Sequence, residues 1–157
     1  MLPKESTKVE HEAELGVIIG RRVKRATRET ALEAVYGYTV VCDVTARDLQ
    51  KSDGQWSRAK GFDTFCPVGP WIETELDAKD LEVSCTVDGV VKQKGRTSQM
   101  IFDVPALIAY ISAAMTLEPG DLIVTGTPEG VGPLAAGNKV VIAVEGIGEL
   151  TVGVVGA

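Results

Sequence analysis

The run Glu12-Ala13-Glu14-Leu15-Gly16-Val17-Ile18-Ile19-Gly20 predicts the first strand of this 157-residue chain, because it is rich in apolar β-branched residues. Side chains two residues apart on a strand point to the same face, so Glu12 and Glu14 would present two carboxylates side by side. Two close carboxylates repel each other unless a cation lies between them, and a hard cation such as Mg²⁺ suits their oxygens. A solvated strand face is the alternative, and the triplet alone favours it.

A third carboxylate, Asp43, lies in the second predicted strand, over residues 38–44. A strand that is apolar nearly throughout is usually buried on both faces. An ionised carboxylate is costly there unless it is paired or bound to a metal. Asp43 can instead end the strand and cap the turn before a short helix predicted near residues 46–50. The pattern leaves both interpretations open.

Two further helices are predicted from their capping residues. The first has Thr27 as its N-cap and ends at Gly37. The second spans residues 104–115, with Asp103 as its N-cap and an apolar face that includes Met115.

The remaining pattern is dominated by strands. Asp88-Gly89 marks a two-residue hairpin turn. The other strands are predicted at residues 81–87, 90–94, 122–125, 139–145 and 149–155. Residues 1–10 are expected to be frayed or weakly paired. Together these elements predict a single domain over residues 1–157 with a mixed β fold, a rolled or sandwiched β-sheet with peripheral helices.

Two loops carry candidate functional groups. Residues 51–70 form a long irregular segment in which Lys60 lies among aromatic residues, and a lysine held against apolar walls can have a lowered pKa and transfer protons. The glycine-rich loop over residues 126–133 can bring backbone N–H groups and the Thr127 hydroxyl to an anionic ligand. A surface loop and a plain turn are the respective alternatives.

Composition and charge narrow the class of protein. The net charge of −6 disfavours nucleic acids and anionic membranes as partners. No apolar run approaches the ~20 residues of a membrane helix. Cys42, Cys66 and Cys85 match neither a zinc pattern nor a disulfide framework, so a reducing, cytoplasmic location is expected.

Several stretches, in their order along nearly the whole chain, resemble the fumarylacetoacetate hydrolase superfamily. They lie at residues 11–15, 37–48, 60–64, 67–70, 100–103 and 117–132. The resemblance implies a metal-dependent catalytic domain on a rolled mixed β-sheet, commonly a homodimer. It also implies that Glu12, Glu14 and Asp43 bind Mg²⁺ or Mn²⁺.

The resemblance assigns roles to residues around that metal. Arg47 and Lys60 match catalytic residues of the family, and Gln50, Gly126 and Thr127 match positions that bind substrate.

Three features depart from the family pattern. Cys42 stands where relatives usually have asparagine before the metal-binding aspartate, and Gly137-Asn138 replaces a usual Gly-Asp. Hydrolytic relatives carry an N-terminal segment whose histidine and glutamate activate water. That segment is expected to be absent here, because the chain begins only a few residues before the strand with the metal ligands.

The implied chemistry starts from a 2-oxo acid that chelates the metal and forms an enolate. C–C hydrolysis, decarboxylation and isomerisation share that enolate, but only hydrolysis needs an activated water. The only histidine, His11, is expected at the surface, on the face opposite to Glu12. The sequence therefore favours an isomerase or decarboxylase that acts on a small 2-oxo or hydroxy-dienoate dicarboxylate in aromatic catabolism. A C–C hydrolase of the acylpyruvase or fumarylacetoacetate hydrolase type, an oxaloacetate decarboxylase and a catalytically silent domain of a larger assembly are the alternatives.

Overall fold

The computed structural model describes residues 1–156, which form eleven strands, three α-helices and two 3₁₀ turns. The helices are α1 (Arg47–Asp53), α2 (Ser57–Lys60) and α3 (Val104–Ala114), and the 3₁₀ turns are Ala31–Ala34 and Thr97–Gln99. The strands are β1 (Val9–His11), β2 (Ala13–Ile19), β3 (Val35–Cys42), β4 (Thr45–Ala46), β5 (Val68–Glu73), β6 (Glu82–Val87), β7 (Val90–Arg96), β8 (Leu122–Val124), β9 (Gly132–Pro133), β10 (Lys139–Val144) and β11 (Gly148–Gly153).

These strands form three sheets whose described pairings are all antiparallel. Two sheets have four strands, in the orders β5-β3-β2-β8 and β11-β10-β6-β7, and the third has the order β4-β1-β9. Strands β2 and β3 are largely buried, and they pack with β6 and β10 around one hydrophobic core. The predicted class, a β fold with peripheral helices, is confirmed.

Residues 1–10 are predicted to be frayed or weakly paired, but the last two of them belong to strand β1. Val9 and Glu10 are buried and pair with Ala46 and Thr45 of β4. The predicted strand over residues 12–20 is also divided, because Glu12 lies between β1 and β2 and these two strands belong to different sheets.

The helix predicted from Thr27 to Gly37 is wrong. Only Ala31–Ala34 is helical, as a 3₁₀ turn, and Gly37 lies inside β3 opposite Ile18. A Cβ at Gly37 would lie 2.6 Å from the Glu73 carbonyl oxygen, so glycine permits the close approach of β5 instead of ending a helix.

The segment over residues 51–70 is more regular than predicted, because it contains the end of α1, the whole of α2 and the start of β5. Phe65 is buried and its ring lies 5.3 Å from that of Phe62, whereas Trp56 is exposed. Met115, predicted to face the core, is exposed beyond the end of α3.

Local signals predicted two other elements correctly. The β6–β7 hairpin turns at Asp88 and Gly89, whose φ angles are 52° and 79°. Helix α3 begins after Asp103, whose carboxylate accepts a hydrogen bond of 2.9 Å from Ala106 N. Within residues 1–156, no helix is long and apolar enough to span a membrane.

Candidate metal centre and active site

The site is built where the chain passes from β1 to β2. Glu12 lies in that link and Glu14 is the second residue of β2. Asp43 directly follows β3, and its N–H donates a hydrogen bond of 2.9 Å to the Glu12 carbonyl oxygen. Antiparallel pairing of Ala13 with Cys42 therefore brings the two carboxylates next to the third.

The three carboxylates form one cluster. Each of Glu12, Glu14 and Asp43 offers an oxygen, and these oxygens all lie within 4.8 Å of one another. Glu12 and Glu14 are buried, at 7% and 2% exposure. The structure thus brings together the three residues that the sequence suggested as metal ligands.

Glu14 is the least solvated of the three. Burial raises its pKa to about 8, and the negative charges of Asp43 and Glu12 act in the same direction. The Gly126 N–H opposes this shift by donating a hydrogen bond of 2.5 Å to Glu14 Oε2. The carboxylate therefore gains its charge readily only where additional positive charge is close.

The ammonium group of Lys60 contacts this cluster from the end of α2. Its Nζ lies 2.5 Å from Asp43 Oδ2, 3.1 Å from Glu12 Oε2 and 2.9 Å from Thr45 Oγ1. Burial of the ammonium opposes its charge, but the hydrogen bond and the attraction of Asp43 together with Glu12 outweigh burial and raise the Lys60 pKa. The predicted lowering of this pKa is therefore wrong.

Arg47, at the start of α1, uses all its nitrogens on protein acceptors. Nη2 donates to Glu12 Oε1, Nε donates to Glu10 Oε2 at 2.7 Å, and Nη1 donates to Gln50 Oε1 at 2.8 Å. The guanidinium thereby orients Glu12 and also fixes the Gln50 side chain through its amide oxygen. The amide nitrogen of Gln50 can therefore donate to another acceptor.

The donor set fits a divalent cation. Three carboxylate oxygens within one another's reach are the ligands that Mg²⁺ and Mn²⁺ prefer. When all three are ionised, these carboxylates carry three negative charges, whereas Lys60 and Arg47 beside them carry two positive charges, and Arg47 also pairs with Glu10. Glu12, Glu14 and Asp43 would hold such an ion.

The glycine-rich loop approaches the cluster, but its threonine hydroxyl is already bonded. Thr127 Oγ1 donates to the Ala13 carbonyl oxygen at 2.9 Å and accepts from Gln93 Nε2 at 2.7 Å. Its neighbour Gly126 donates its N–H to Glu14. The loop is thus bonded to the backbone between two candidate metal ligands.

A cavity of about 570 Å³ adjoins the same loop. Gly126, Thr127 and Pro128 line it together with Lys94 and Phe102, whereas the three clustered carboxylates do not. The loop therefore contributes to both the cavity and the surroundings of the carboxylate cluster.

Two buried polar residues near the site were missed or misjudged from the sequence. His11, expected at the surface, is 1% exposed, and its Nδ1 lies 2.8 Å from Gln93 Oε1. Gln93 itself is 1% exposed and was not singled out. The only sequence signal was a polar residue at the core-facing register of β7, where Gln93 lies opposite Cys85 of β6.

Comparison with known proteins gives one family. The family model "Fumarylacetoacetate (FAA) hydrolase C-terminal" matches residues 1–155. The chain is 57% identical to the solved 2-hydroxyhepta-2,4-diene-1,7-dioate isomerase of Mycobacterium marinum, with a TM-score of 0.96. The match covers 98% of this chain and 61% of that protein.

Two other relatives differ in named activity. The mitochondrial oxaloacetate decarboxylase of Dictyostelium discoideum is 46% identical over 152 residues, which are 93% of this chain and 70% of that protein. A fumarylpyruvate hydrolase of Pseudomonas aeruginosa, solved with Mn²⁺ and pyruvate, is 36% identical at a TM-score of 0.93, over 98% of this chain and 69% of that one. The chain also spans only 62% of a solved Mycobacterium abscessus homologue.

Proposed function

The chain belongs to the fumarylacetoacetate hydrolase family, and on that premise we propose that it is a divalent-metal-dependent isomerase or decarboxylase. Its proposed substrate is a small, enolisable 2-oxo or hydroxy-dienoate dicarboxylate of aromatic catabolism. The cluster of Glu12, Glu14 and Asp43 is the observation that carries the proposal. A divalent cation bound there supplies Lewis-acid stabilisation of the charge that develops on the 2-oxo group of the substrate.

The surrounding residues have complementary roles in this proposal. Lys60 is charged at neutral pH, because Asp43 and Glu12 raise its pKa, so it acts as a proton donor or as a partner for a substrate carboxylate. Arg47 holds Glu12 in place through a charged hydrogen bond.

Two parts of the site face the distal end of the substrate in this proposal. The amide nitrogen of Gln50 supplies a hydrogen-bond donor. The exposed backbone of Gly126 contributes by contact, because its N–H is bonded to Glu14. Thr127, whose hydroxyl is bonded to Ala13 and Gln93, contributes through its backbone.

The position of His11 supports isomerisation or decarboxylation over hydrolysis. It is the only histidine in the sequence, and it is bonded to Gln93 rather than directed at the carboxylate cluster. Within residues 1–156, no histidine is therefore available beside the cluster to activate water.

A C–C hydrolase is the second candidate, because the Mn²⁺- and pyruvate-bound relative is a fumarylpyruvate hydrolase. Oxaloacetate decarboxylation is favoured by the relative from Dictyostelium discoideum. We also propose that residues 1–157 form one catalytic domain and that the protein is located in the cytoplasm. We propose further that it is a homodimer, which sedimentation of the purified protein tests.

Metal binding is tested by thermal unfolding. We expect Mg²⁺ or Mn²⁺ to raise the melting temperature, since saturation at about 100 times Kd adds roughly 2.7 kcal/mol to the free energy of unfolding. Asp43→Ala should abolish the rise, whereas Asp53→Ala, on exposed α1, should retain it. An unchanged wild-type melting temperature would contradict the proposed metal site.

The reaction is tested by offering a hydroxy-dienedioate, oxaloacetate and an acylpyruvate side by side, with and without metal. Turnover of either of the first two supports the proposal. Turnover of the acylpyruvate alone would establish hydrolysis instead, and turnover of none would favour a silent domain.

A further inference from the structure

Gln93 forms four hydrogen bonds from a fully buried position on β7. Its Oε1 accepts from His11 Nδ1 at 2.8 Å and from Ala13 N at 3.1 Å. Its Nε2 donates to Thr127 Oγ1 and to the Pro128 carbonyl oxygen, both at 2.7 Å. The amide thus uses its acceptor on one segment of the chain and its donors on another.

These bonds fix the orientation of every group involved. An amide oxygen only accepts, so the His11 Nδ1 must carry the hydrogen. The Thr127 hydroxyl accepts from Gln93 and donates its own hydrogen to the Ala13 carbonyl oxygen at 2.9 Å. No group in this network can rotate without leaving a buried polar atom unpaired.

The two segments joined by Gln93 both carry parts of the carboxylate cluster. Ala13, bonded through its N–H and its carbonyl oxygen, lies between Glu12 and Glu14. The loop held at Thr127 and Pro128 begins with Gly126, whose N–H contacts Glu14 Oε2. Gln93 therefore ties the backbone between two ligands to the loop that orients one of them, without touching either carboxylate.

We propose that Gln93 is a positioning residue of the metal site, which holds the loop over residues 126–128 in register with Ala13 so that Gly126 fixes the Glu14 carboxylate. This inference rests on the proposed function, because it takes Glu12 and Glu14 as metal ligands. Residues that orient a metal ligand through hydrogen bonds commonly change metal affinity when they are removed.

A purely structural role for Gln93 predicts a different result. Removing any buried, fully bonded amide lowers the stability of the protein, but it leaves the affinity of the folded site for metal unchanged. The two roles therefore separate in metal affinity measured below the unfolding transition.

The first experiment compares Gln93→Met with Ser112→Ala by titrating Mn²⁺ and following the free ion by electron paramagnetic resonance. Ser112 is the matched control, because it is also buried and bonded, to Ala26 N at 3.0 Å and to the Ala109 carbonyl oxygen at 3.2 Å, away from the site. We expect Gln93→Met to bind Mn²⁺ about 10–100-fold more weakly than wild type, and Ser112→Ala to keep wild-type affinity.

Substitution of Thr127 tests the same connection from the loop. Thr127→Val removes the hydroxyl that links Gln93 to Ala13, whereas Thr127→Ser keeps it. We expect the valine variant to lose Mn²⁺ affinity and the serine variant to keep it. These two variants decide the question if Gln93→Met does not fold.

A metal-free measurement provides an independent result. The Gly126 amide proton, bonded to a carboxylate, should resonate downfield in nuclear magnetic resonance spectra of wild type and Thr127→Ser, and move upfield in Thr127→Val. If Gln93→Met and Thr127→Val bind Mn²⁺ as tightly as wild type and their Gly126 resonance does not move, Gln93 has no positioning role. That outcome leaves the proposed function intact. A wild-type protein that binds no Mn²⁺ would overturn the proposed function, and this inference with it.

Discussion

Lys60 shows how a single charge serves the carboxylate cluster. Its ammonium lies within hydrogen-bond distance of Asp43 and Glu12, and these contacts raise its pKa although burial opposes the charge. At neutral pH it is therefore a cation and a proton donor, not a neutral base.

Lys60→Met is expected to separate metal binding from turnover. Methionine keeps much of the side-chain volume, so the carboxylates remain but have lost their ammonium partner. We expect a larger Mg²⁺-induced rise in melting temperature than in wild type and a loss of turnover of ~100-fold or more. The control is Lys51→Met, on the exposed side of α1. Full activity of Lys60→Met would remove this residue from the mechanism.

The pKa of Glu14 gives a pH-dependent prediction for the metal-free protein. Its folded value of about 8 lies above the ordinary 4.5, so between these values the folded state holds a proton that the unfolded state has released. Raising the pH through this window therefore favours unfolding, by about 1.4 kcal/mol per pH unit for a single proton.

Glu14→Gln should remove this contribution, because glutamine does not titrate. In a chelator, the free energy of unfolding of wild type relative to Glu14→Gln should fall from about pH 5 to about pH 8, as measured by urea unfolding. Parallel pH dependences of the two proteins would show that Glu14 is ionised throughout.

At the scale of the elements, strand pairing between distant residues decides what local patterns cannot. Gly37 follows apolar residues with helical spacing, which predicted the end of a helix. The segment instead forms β3, which pairs with β2 and β5. A Cβ there would meet the Glu73 carbonyl oxygen at 2.6 Å, whereas one at Gly153 of β11 would meet nothing within 4 Å.

Gly37→Ala is therefore expected to destabilise the protein by roughly 1–3 kcal/mol, because the backbone of β5 must move to admit a methyl group. Gly153→Ala is the matched strand control and should be neutral or slightly stabilising. Urea unfolding measures both, and equal stabilities would contradict the close approach of β5.

The same distinction explains which features the sequence could predict. The β6–β7 hairpin and α3 carry their signals within a few residues, at Asp88-Gly89 and Asp103, and both were predicted. The carboxylate triad came from spacing, an anomalous Asp43 and family resemblance. Gln93 was missed because its partner Thr127 lies 34 residues away. The pairing of residues 9 and 10 was missed likewise, because β4 and β9 supply the pairing partners of β1.

At the scale of the whole molecule, the site combines elements that lie far apart in the sequence. Its groups come from the β1–β2 link, the end of β3, α1, α2 and the loop after β8. Two cysteines report on the integrity of this common core: Cys42 and Cys85 are buried, and burial raises their pKa values to about 12 and about 11.

Thiol labelling should therefore follow global unfolding. In the folded protein a thiol reagent should modify Cys66, which is exposed, and spare Cys42 and Cys85. All three should react in denaturant, and the slow labelling of the buried pair should rise with urea in parallel with loss of circular dichroism. Rapid labelling of all three without denaturant would contradict the packed core.

The passage of the chain through Glu12 has a mechanical consequence. Glu12 lies between β1 and β2, which belong to different sheets, so it links the two sheets through the backbone. An ion bound by Glu12 and by Glu14 on β2 would cross-link this connection. The force needed to pull the two sheets apart should therefore be higher with the ion bound than without it.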